Sequence, residues 1–209
     1  VSTYADVTPL GEADSQGEVS GSLSITQTLA QGFGTVASGS YSQAQGRNTI
    51  ASGAFSFASN QNSTATAVCS SAIGEGSSAT ATAAHSQGFG SIAGGLASHA
   101  EGYYTEAASN YSHSEGYRTD ATNTAAHAEG YQSLASGLYS HASNRNTTAS
   151  ATCAHAEGEG TSATADAAHS EGFQSVASGF ASHAEGYETT ASGLYSHAAG
   201  RASQATASS

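Results

Sequence analysis

The chain has 209 residues and a formal net charge of −12; only 10 % of its residues are charged, and four arginines are its only cations besides histidine. Without a basic patch the chain lacks the groups that neutralise phosphates, so nucleic acid is not an expected partner. No apolar run approaches the roughly 20 residues that span a bilayer, so this segment is not expected to insert into a membrane.

Residues 1–29 fit the repeat of the remaining chain poorly but contain apolar residues such as Val7, Leu10 and Leu23. A repetitive solenoid needs its open edge covered, and these side chains are suited to that role. We therefore predict an N-terminal cap or connection at 1–29 and a solenoid of about 13 coils at 30–209.

From residue 30 onward the sequence repeats in steps of fourteen residues, and its strictest column is alanine, from Ala37 to Ala205. Ser or Thr stands two residues before each of these alanines, and a second pair of small columns, beginning at Ser42 and Ala44, lies seven residues further on. A spacing of two is the period of a β-strand whose alternate side chains face one side. The columns predict two short strands per coil around an interior too narrow for leucine.

Two glycine-rich columns separate the predicted strands. In the first, from Gly46 to Gly200, glycine is replaced only by asparagine, at Asn60 and Asn144. Asparagine is the side-chain-bearing residue that best tolerates positive φ, so this column is predicted to be left-handed. The second column begins at Gly39 and also admits Ala, Ser and Asn, which indicates a less demanding geometry.

A longer period overlies the short one, because residues 59–103 recur at 143–187. Duplication of a block of coils accounts for the paired cysteines, Cys69 and Cys153, which lie in one column. At about 4.8 Å per coil they would be roughly 29 Å apart, too far for an intrachain disulfide. We expect two small thiols, buried or half-buried.

The fourteen-residue step, with Ala-x-Gly corners at 37–39 and 44–46, resembles the head repeat of trimeric autotransporter adhesins of the YadA type. The resemblance covers about 180 of the 209 residues. The segment Ser-His-Ala-Glu-Gly-Tyr at 182–187 more closely resembles head-like repeats of phage and prophage tail or appendage proteins of Gram-positive bacteria. The resemblance implies an all-β, left-handed parallel β-roll, associated as a homotrimer, in an extracellular fibre of a virion appendage or bacterial cell surface that attaches to a surface.

The sequence also departs from that adhesin pattern. The adhesin consensus has Val and Ile beside its alanine, whereas the flanking column here includes Glu106 and Asp120. That face is expected to be solvated, so a trimer contact is expected elsewhere.

All nine histidines stand on one fourteen-residue progression, and six of them are followed two residues later by glutamate. The small residue between His and Glu points inward, so both point outward on the same face. We call this set of residues the His/Glu ladder. Its members are His85, His99, His113, His127, His141, His155, His169, His183, His197, Glu101, Glu115, Glu129, Glu157, Glu171 and Glu185.

Three uses of the ladder are compatible with the sequence. In the first, it packs against two other chains, because a core of Ala, Ser and Thr buries little apolar area and association then supplies stability. In the second, the ladder binds metal, although parallel ligands converge weakly. In the third, it is solvated or binds an external ligand. Four tyrosines either flank the same seam or pack at a corner: Tyr103, Tyr117, Tyr131 and Tyr187.

No catalytic residue, cofactor or metal site is assigned, because parallel ladders provide neither a cleft nor an oriented base. An ice-binding face would need a uniform outward threonine column, which the sequence lacks. We predict a non-enzymatic structural and surface-attachment module that contacts a host-surface protein or glycan; the alternative is a rigid spacer that displays a neighbouring domain. Binding is expected to be spread over the outward strand and the turns, where the sequence varies, including Tyr104, Tyr111, Arg118, Tyr139 and Tyr195.

Overall fold

A computed structural model describes residues 28–206, so nearly all of the predicted cap at 1–29 lies outside the described residues. The described part is all-β, with 26 strands and no helix. Accordingly, residues 28–206 contain no helix long and apolar enough to cross a membrane.

Each coil contributes one five-residue strand and one two-residue strand. The long strands are β1 Leu29–Phe33, β3 Gln43–Arg47, β5 Phe57–Gln61, β7 Ser71–Glu75, β9 His85–Phe89, β11 His99–Tyr103, β13 His113–Tyr117, β15 His127–Tyr131, β17 His141–Arg145, β19 His155–Glu159, β21 His169–Phe173, β23 His183–Tyr187 and β25 His197–Arg201. The short strands are β2 Val36–Ala37, β4 Ile50–Ala51, β6 Thr64–Ala65, β8 Ser78–Ala79, β10 Ile92–Ala93, β12 Glu106–Ala107, β14 Asp120–Ala121, β16 Leu134–Ala135, β18 Thr148–Ala149, β20 Ser162–Ala163, β22 Val176–Ala177, β24 Thr190–Ala191 and β26 Gln204–Ala205.

The strands form two parallel sheets of 13 strands, one from the long strands and one from the short strands. Each residue pairs with the residue fourteen positions later; Ala100 lies beside Ser114 and Ala93 beside Ala107. This register confirms the predicted parallel solenoid of about 13 coils with two short strands per coil. At about 4.8 Å per coil the two sheets extend for roughly 60 Å.

The core between the sheets contains alanine, serine and threonine. The apolar residues buried in it are all alanines, and the largest fully buried side chains are threonines such as Thr105 and Thr119. Neighbouring hydroxyls hydrogen-bond each other inside, as Ser114 Oγ and Thr119 Oγ1 do at 2.8 Å. The prediction of an interior too narrow for leucine is confirmed, because inward positions hold nothing larger than threonine.

The first glycine column is left-handed, as predicted. Its glycines have φ between +99° and +129°, and Asn60 and Asn144 have φ of 83° and 80°. An added Cβ on Gly116 would lie 2.2 Å from the carbonyl oxygen of Gly130 in the next coil. The column therefore needs glycine for two reasons, its backbone angle and the close approach of the adjacent coil. The Gly39 column lies outside the left-handed region.

Two further columns are left-handed although they do not require glycine, and the sequence analysis missed them. Tyr104 has φ 52° at the corner after a long strand, and Cys69 has φ 56° at the corner after a short strand. These angles fall in the αL well, which an L-residue enters at a cost of roughly 1–2 kcal/mol. The column of Tyr104 holds Gly or Asn at seven of its thirteen described positions, which is a sign of positive φ, whereas the column of Cys69 holds neither residue between positions 41 and 195 and gives no such sign.

The cysteines correct one expectation. Cys69 and Cys153 are both free and exposed, not buried or half-buried. Each occupies a left-handed corner, with φ of 56° and 55°, outside the strands. Only the corner geometry makes their exposure evident.

Candidate functional site: the His/Glu ladder

The long-strand sheet carries three outward columns on one face. In the nine long strands from β9 to β25, histidine is the first residue, the third is glutamate in six coils, and the fifth is often aromatic. The second residue points inward and is buried, as Ala100 and Ala128 are. Strand alternation thus places His, Glu and the aromatic side chain of one coil on the same outer surface, as predicted for His and Glu.

The imidazole rings stack along the ladder. From His113 to His197 successive ring centroids are 4.6–4.9 Å apart, with interplanar angles of 2–20°. The stack loosens at its first end, where His85 and His99 meet at 60° and His99 and His113 at 31°. The spacing follows from the distance between neighbouring strands, which the parallel register imposes on every outward column.

Each glutamate of the ladder lies close to one or two imidazoles. The Nε2–Oε distances within a coil are 3.4 Å for His99–Glu101, 3.8 Å for His113–Glu115, 3.7 Å for His127–Glu129, 3.8 Å for His155–Glu157 and 3.9 Å for His169–Glu171. Between coils they are 3.8 Å for His141–Glu129, 3.8 Å for His183–Glu171 and 3.2 Å for His197–Glu185. His141 lies near the glutamate of the preceding coil because its own coil has Ser143 there.

Most of these contacts are too long for a hydrogen bond. The covered Nε2 atoms that have no hydrogen-bond partner belong to His99, His127, His141, His155, His169 and His183. The side chains themselves are half-exposed, at 36 % for His127 and 41 % for His99. The ladder thus contains imidazole Nε2 atoms that neighbouring rings shield from solvent and that make no hydrogen bond.

Burial and like charge both act on the imidazoles. Partial burial lowers the pKa of His127, His155 and His169, and the neighbouring histidines lower it further, while nearby glutamates oppose the shift. These three rings therefore favour the neutral form at neutral pH. On the short-strand face, burial and then Glu106 raise the pKa of Asp120.

The aromatic column borders the ladder. Phe89, Tyr103, Tyr117 and Tyr131 form one stack with centroid distances of 5.1, 5.1 and 4.9 Å. The stack is interrupted by Arg145 and Glu159, which form an exposed ion pair at 3.1 Å. Beyond the interruption, Phe173 and Tyr187 stack at 5.0 Å. The four tyrosines whose role was left open thus lie on the outer face of the long-strand sheet, beside the glutamates.

The predicted attachment residues do not form one patch. Tyr104 and Arg118 lie at the corner after the long strands, where Tyr104 packs edge-on against Tyr103 at 4.7 Å. Tyr111, Tyr139 and Tyr195 lie at the other corner, after the short strands, and all three have φ of 57–59°. The structure therefore divides the five residues between two edges of the solenoid.

One part of the ladder brings three possible metal ligands together. Among the described residues, only His169, Glu171 and His183 offer three ligand atoms that all lie within 4.8 Å of one another. A shallow, open groove of about 470 Å³ runs beside them and is lined by Glu157, Gly158, Glu171, Gly172, Glu185, Gly186 and Gly200. Glycine leaves the floor of the groove without side chains.

Comparison with protein-family models and with curated proteins gives no match to this chain.

Proposed function

We propose that the chain is a structural and surface-attachment module of an extracellular fibre. In this proposal the solenoid is a left-handed β-roll, and three copies associate with their His/Glu ladders facing one another. The setting, a virion appendage or a bacterial cell surface, comes from the resemblance of the repeat to adhesin heads and phage appendages. No enzymatic activity is part of the proposal.

The observation that carries the proposal is the contrast between the core and the ladder face. Within residues 28–206 the core buries no apolar side chain larger than alanine, and burial of apolar area contributes only about 25 cal/mol per Å². The ladder face, by comparison, is regular over nine coils and carries a column of imidazole rings, six of which have a buried Nε2 without a hydrogen-bond partner. Packing this face against other chains would bury large side chains and give those nitrogens partners.

Association is tested by sedimentation velocity of the whole chain over a range of concentrations. A mass three times that of the chain is expected, with dissociation on dilution. His141→Lys places a long charged side chain in the seam while keeping an attractive partner in Glu129. Thr148→Lys introduces the same group on the short-strand face and serves as the matched control.

We expect His141→Lys to weaken association by at least about tenfold and Thr148→Lys to leave it within about twofold. A wild-type chain that sediments as a monomer at every concentration would contradict the trimer. Equal weakening by both variants would place the contact outside the ladder.

A rigid spacer is the second candidate function, and the division of the attachment residues between two edges favours it over a single binding patch. Fluorescently labelled chain incubated with Gram-positive bacterial cells distinguishes the two. Saturable binding that unlabelled chain displaces supports attachment, whereas absence of binding by a correctly folded trimer supports the spacer.

A further inference from the structure

The ladder contains a place where three possible ligand atoms lie close together, on His169, Glu171 and His183, although the two imidazole rings are stacked nearly parallel, at 6°. Glu171 lies between two imidazoles, with its carboxylate 3.9 Å from Nε2 of His169 and 3.8 Å from Nε2 of His183. The rings belong to adjacent coils, and their centroids are 4.6 Å apart, the shortest ring separation in the stack. From these contacts we propose that His169, Glu171 and His183 form a binding site for a divalent transition-metal ion of the zinc type.

The donor atoms at this site are not engaged by other groups. Nε2 of His169 and Nε2 of His183 are covered and have no hydrogen-bond partner. Their distances to Glu171 exceed hydrogen-bond length. A metal ion between the three side chains would satisfy both nitrogens and the carboxylate together, which a proton shared with Glu171 cannot do.

The ligand types select the class of ion. Two imidazoles and one carboxylate are a common set for Zn²⁺, with the fourth position left to water or to another side chain. One carboxylate provides too few oxygens for Ca²⁺ or Mg²⁺, which prefer several. In the proposed trimer, a neighbouring chain or water would occupy the fourth position.

The geometry requires only side-chain movement. Bond lengths of about 2.0–2.1 Å in a tetrahedral site bring ligand atoms to about 3.3 Å from one another. The ligand atoms here lie within 4.8 Å of one another, so the most distant pair must approach by up to about 1.5 Å, which requires the nearly parallel rings of His169 and His183 to turn. Both histidines are only half-buried, at 36 % exposure, and the groove beside Glu171 leaves room for the turn.

Charge around the site also favours a cation. Glu157 and Glu185 line the same groove as Glu171, and the chain as a whole has a net charge of −12. In the single chain, the glycines between these glutamates keep the approach from solvent open. Negative groups around an open groove raise the local concentration of cations.

The test is isothermal titration of the whole chain with ZnCl₂, after removal of bound metal with EDTA and dialysis. His183→Gln and Glu171→Gln remove one ligand each with little change of size. His85→Gln is the matched control, since it makes the same change in the same column where the neighbour is Gln87 instead of glutamate. We expect each ligand variant to lower Zn²⁺ affinity by at least about tenfold and the control to stay within about twofold.

A second measurement locates the ion. Imidazole nitrogen signals of His169 and His183 should move on addition of ZnCl₂, while those of His85 stay in place. Absence of Zn²⁺ binding by the wild-type chain, unchanged affinity in His183→Gln, or equal loss in His85→Gln would each overturn the site. Because the three proposed ligands belong to one chain, the site does not require association, which sedimentation of the same samples reports separately.

Discussion

The substitution Gly116→Ala tests the geometry on which the solenoid depends. Gly116 has φ +117°, and an added Cβ would lie 2.2 Å from the carbonyl oxygen of Gly130 and 3.0 Å from its carbonyl carbon. The strands on both sides are held in register by the adjacent coils, so the backbone of Gly130 has little freedom to retreat. Alanine at this position therefore meets both a forbidden angle and a backbone clash.

The magnitude follows from these two terms. Backbone strain of this kind costs about 1–3 kcal/mol, and relief of an overpacked contact costs a further 1–3 kcal/mol, roughly. We therefore expect Gly116→Ala to lower the free energy of unfolding by about 2–6 kcal/mol. Asn144 occupies the same column at φ 80°, so Gly116→Asn should cost less than Gly116→Ala.

Gly76→Ala is the matched control. Gly76 also has positive φ, +68°, but its nearest potential contact is 3.9 Å away, and its column holds residues such as Ala202 at φ 52°. Alanine at positive φ costs about 1 kcal/mol in the folded chain, but it also restricts the unfolded chain more than glycine does, which offsets part of that cost. We therefore expect Gly76→Ala to change the free energy of unfolding by at most about 1 kcal/mol.

Urea unfolding followed by far-ultraviolet circular dichroism, at one fixed chain concentration, compares the variants. Coils contact only their neighbours, so hydrogen exchange should also locate the weakened region around Gly116. Equal destabilisation by the two alanine variants, or a loss below about 1 kcal/mol for Gly116→Ala, would refute the reasoning.

Three other predictions concern the ladder, the core and the surface. Acidification from about pH 7.5 to about pH 5 should lower the urea midpoint of unfolding in EDTA-containing buffer. Burial and neighbouring histidines lower the folded-state pKa of His127, His155 and His169 from 6.5, so the unfolded chain binds more protons than the folded chain in this pH range. A urea midpoint that rises on acidification would contradict this sign. Ala135→Leu, at a fully buried position, should lower the free energy of unfolding by about 1–3 kcal/mol or more, while outward Thr148→Leu changes it by at most about 0.5 kcal/mol in the same assay. Arg145→Gln removes an exposed ion pair with Glu159 and should cost at most about 1 kcal/mol at low salt; a larger loss that persists in high salt would show another role for Arg145.

The repeat made much of the fold predictable. Each strand residue lies beside the residue fourteen positions later, so the sequence period directly gives the contacts between adjacent coils. The alternation of small and variable columns therefore predicted the two sheets and the buried face, and the exclusive Gly/Asn column predicted the left-handed turn, with φ of 80° at Asn144. The same alternation correctly placed the histidines and glutamates on one outer face.

The corners were less predictable. Cys69 adopts positive φ in a column of Tyr, Phe, Cys and Ala, whose composition carries no mark of that conformation, whereas the Gly and Asn residues in the column of Tyr104 are a sign of it. The expected burial of the cysteines was wrong for this reason. The attachment residues were predicted from the variation of the outward strand and turn positions, and the corner geometry separates Tyr104 from Tyr111.

The sequence by itself determined the coil length, the register and the choice of inward and outward columns, because each depends only on period and side-chain size. Only the tertiary structure decided which atoms meet on the outer face. Glu171 lies between two imidazoles, whereas Glu185 lies near His197 of the next coil, and these differences depend on side-chain rotation. The side-chain rotamer is set by packing between adjacent coils, and identical residues in one sequence column do not reveal it.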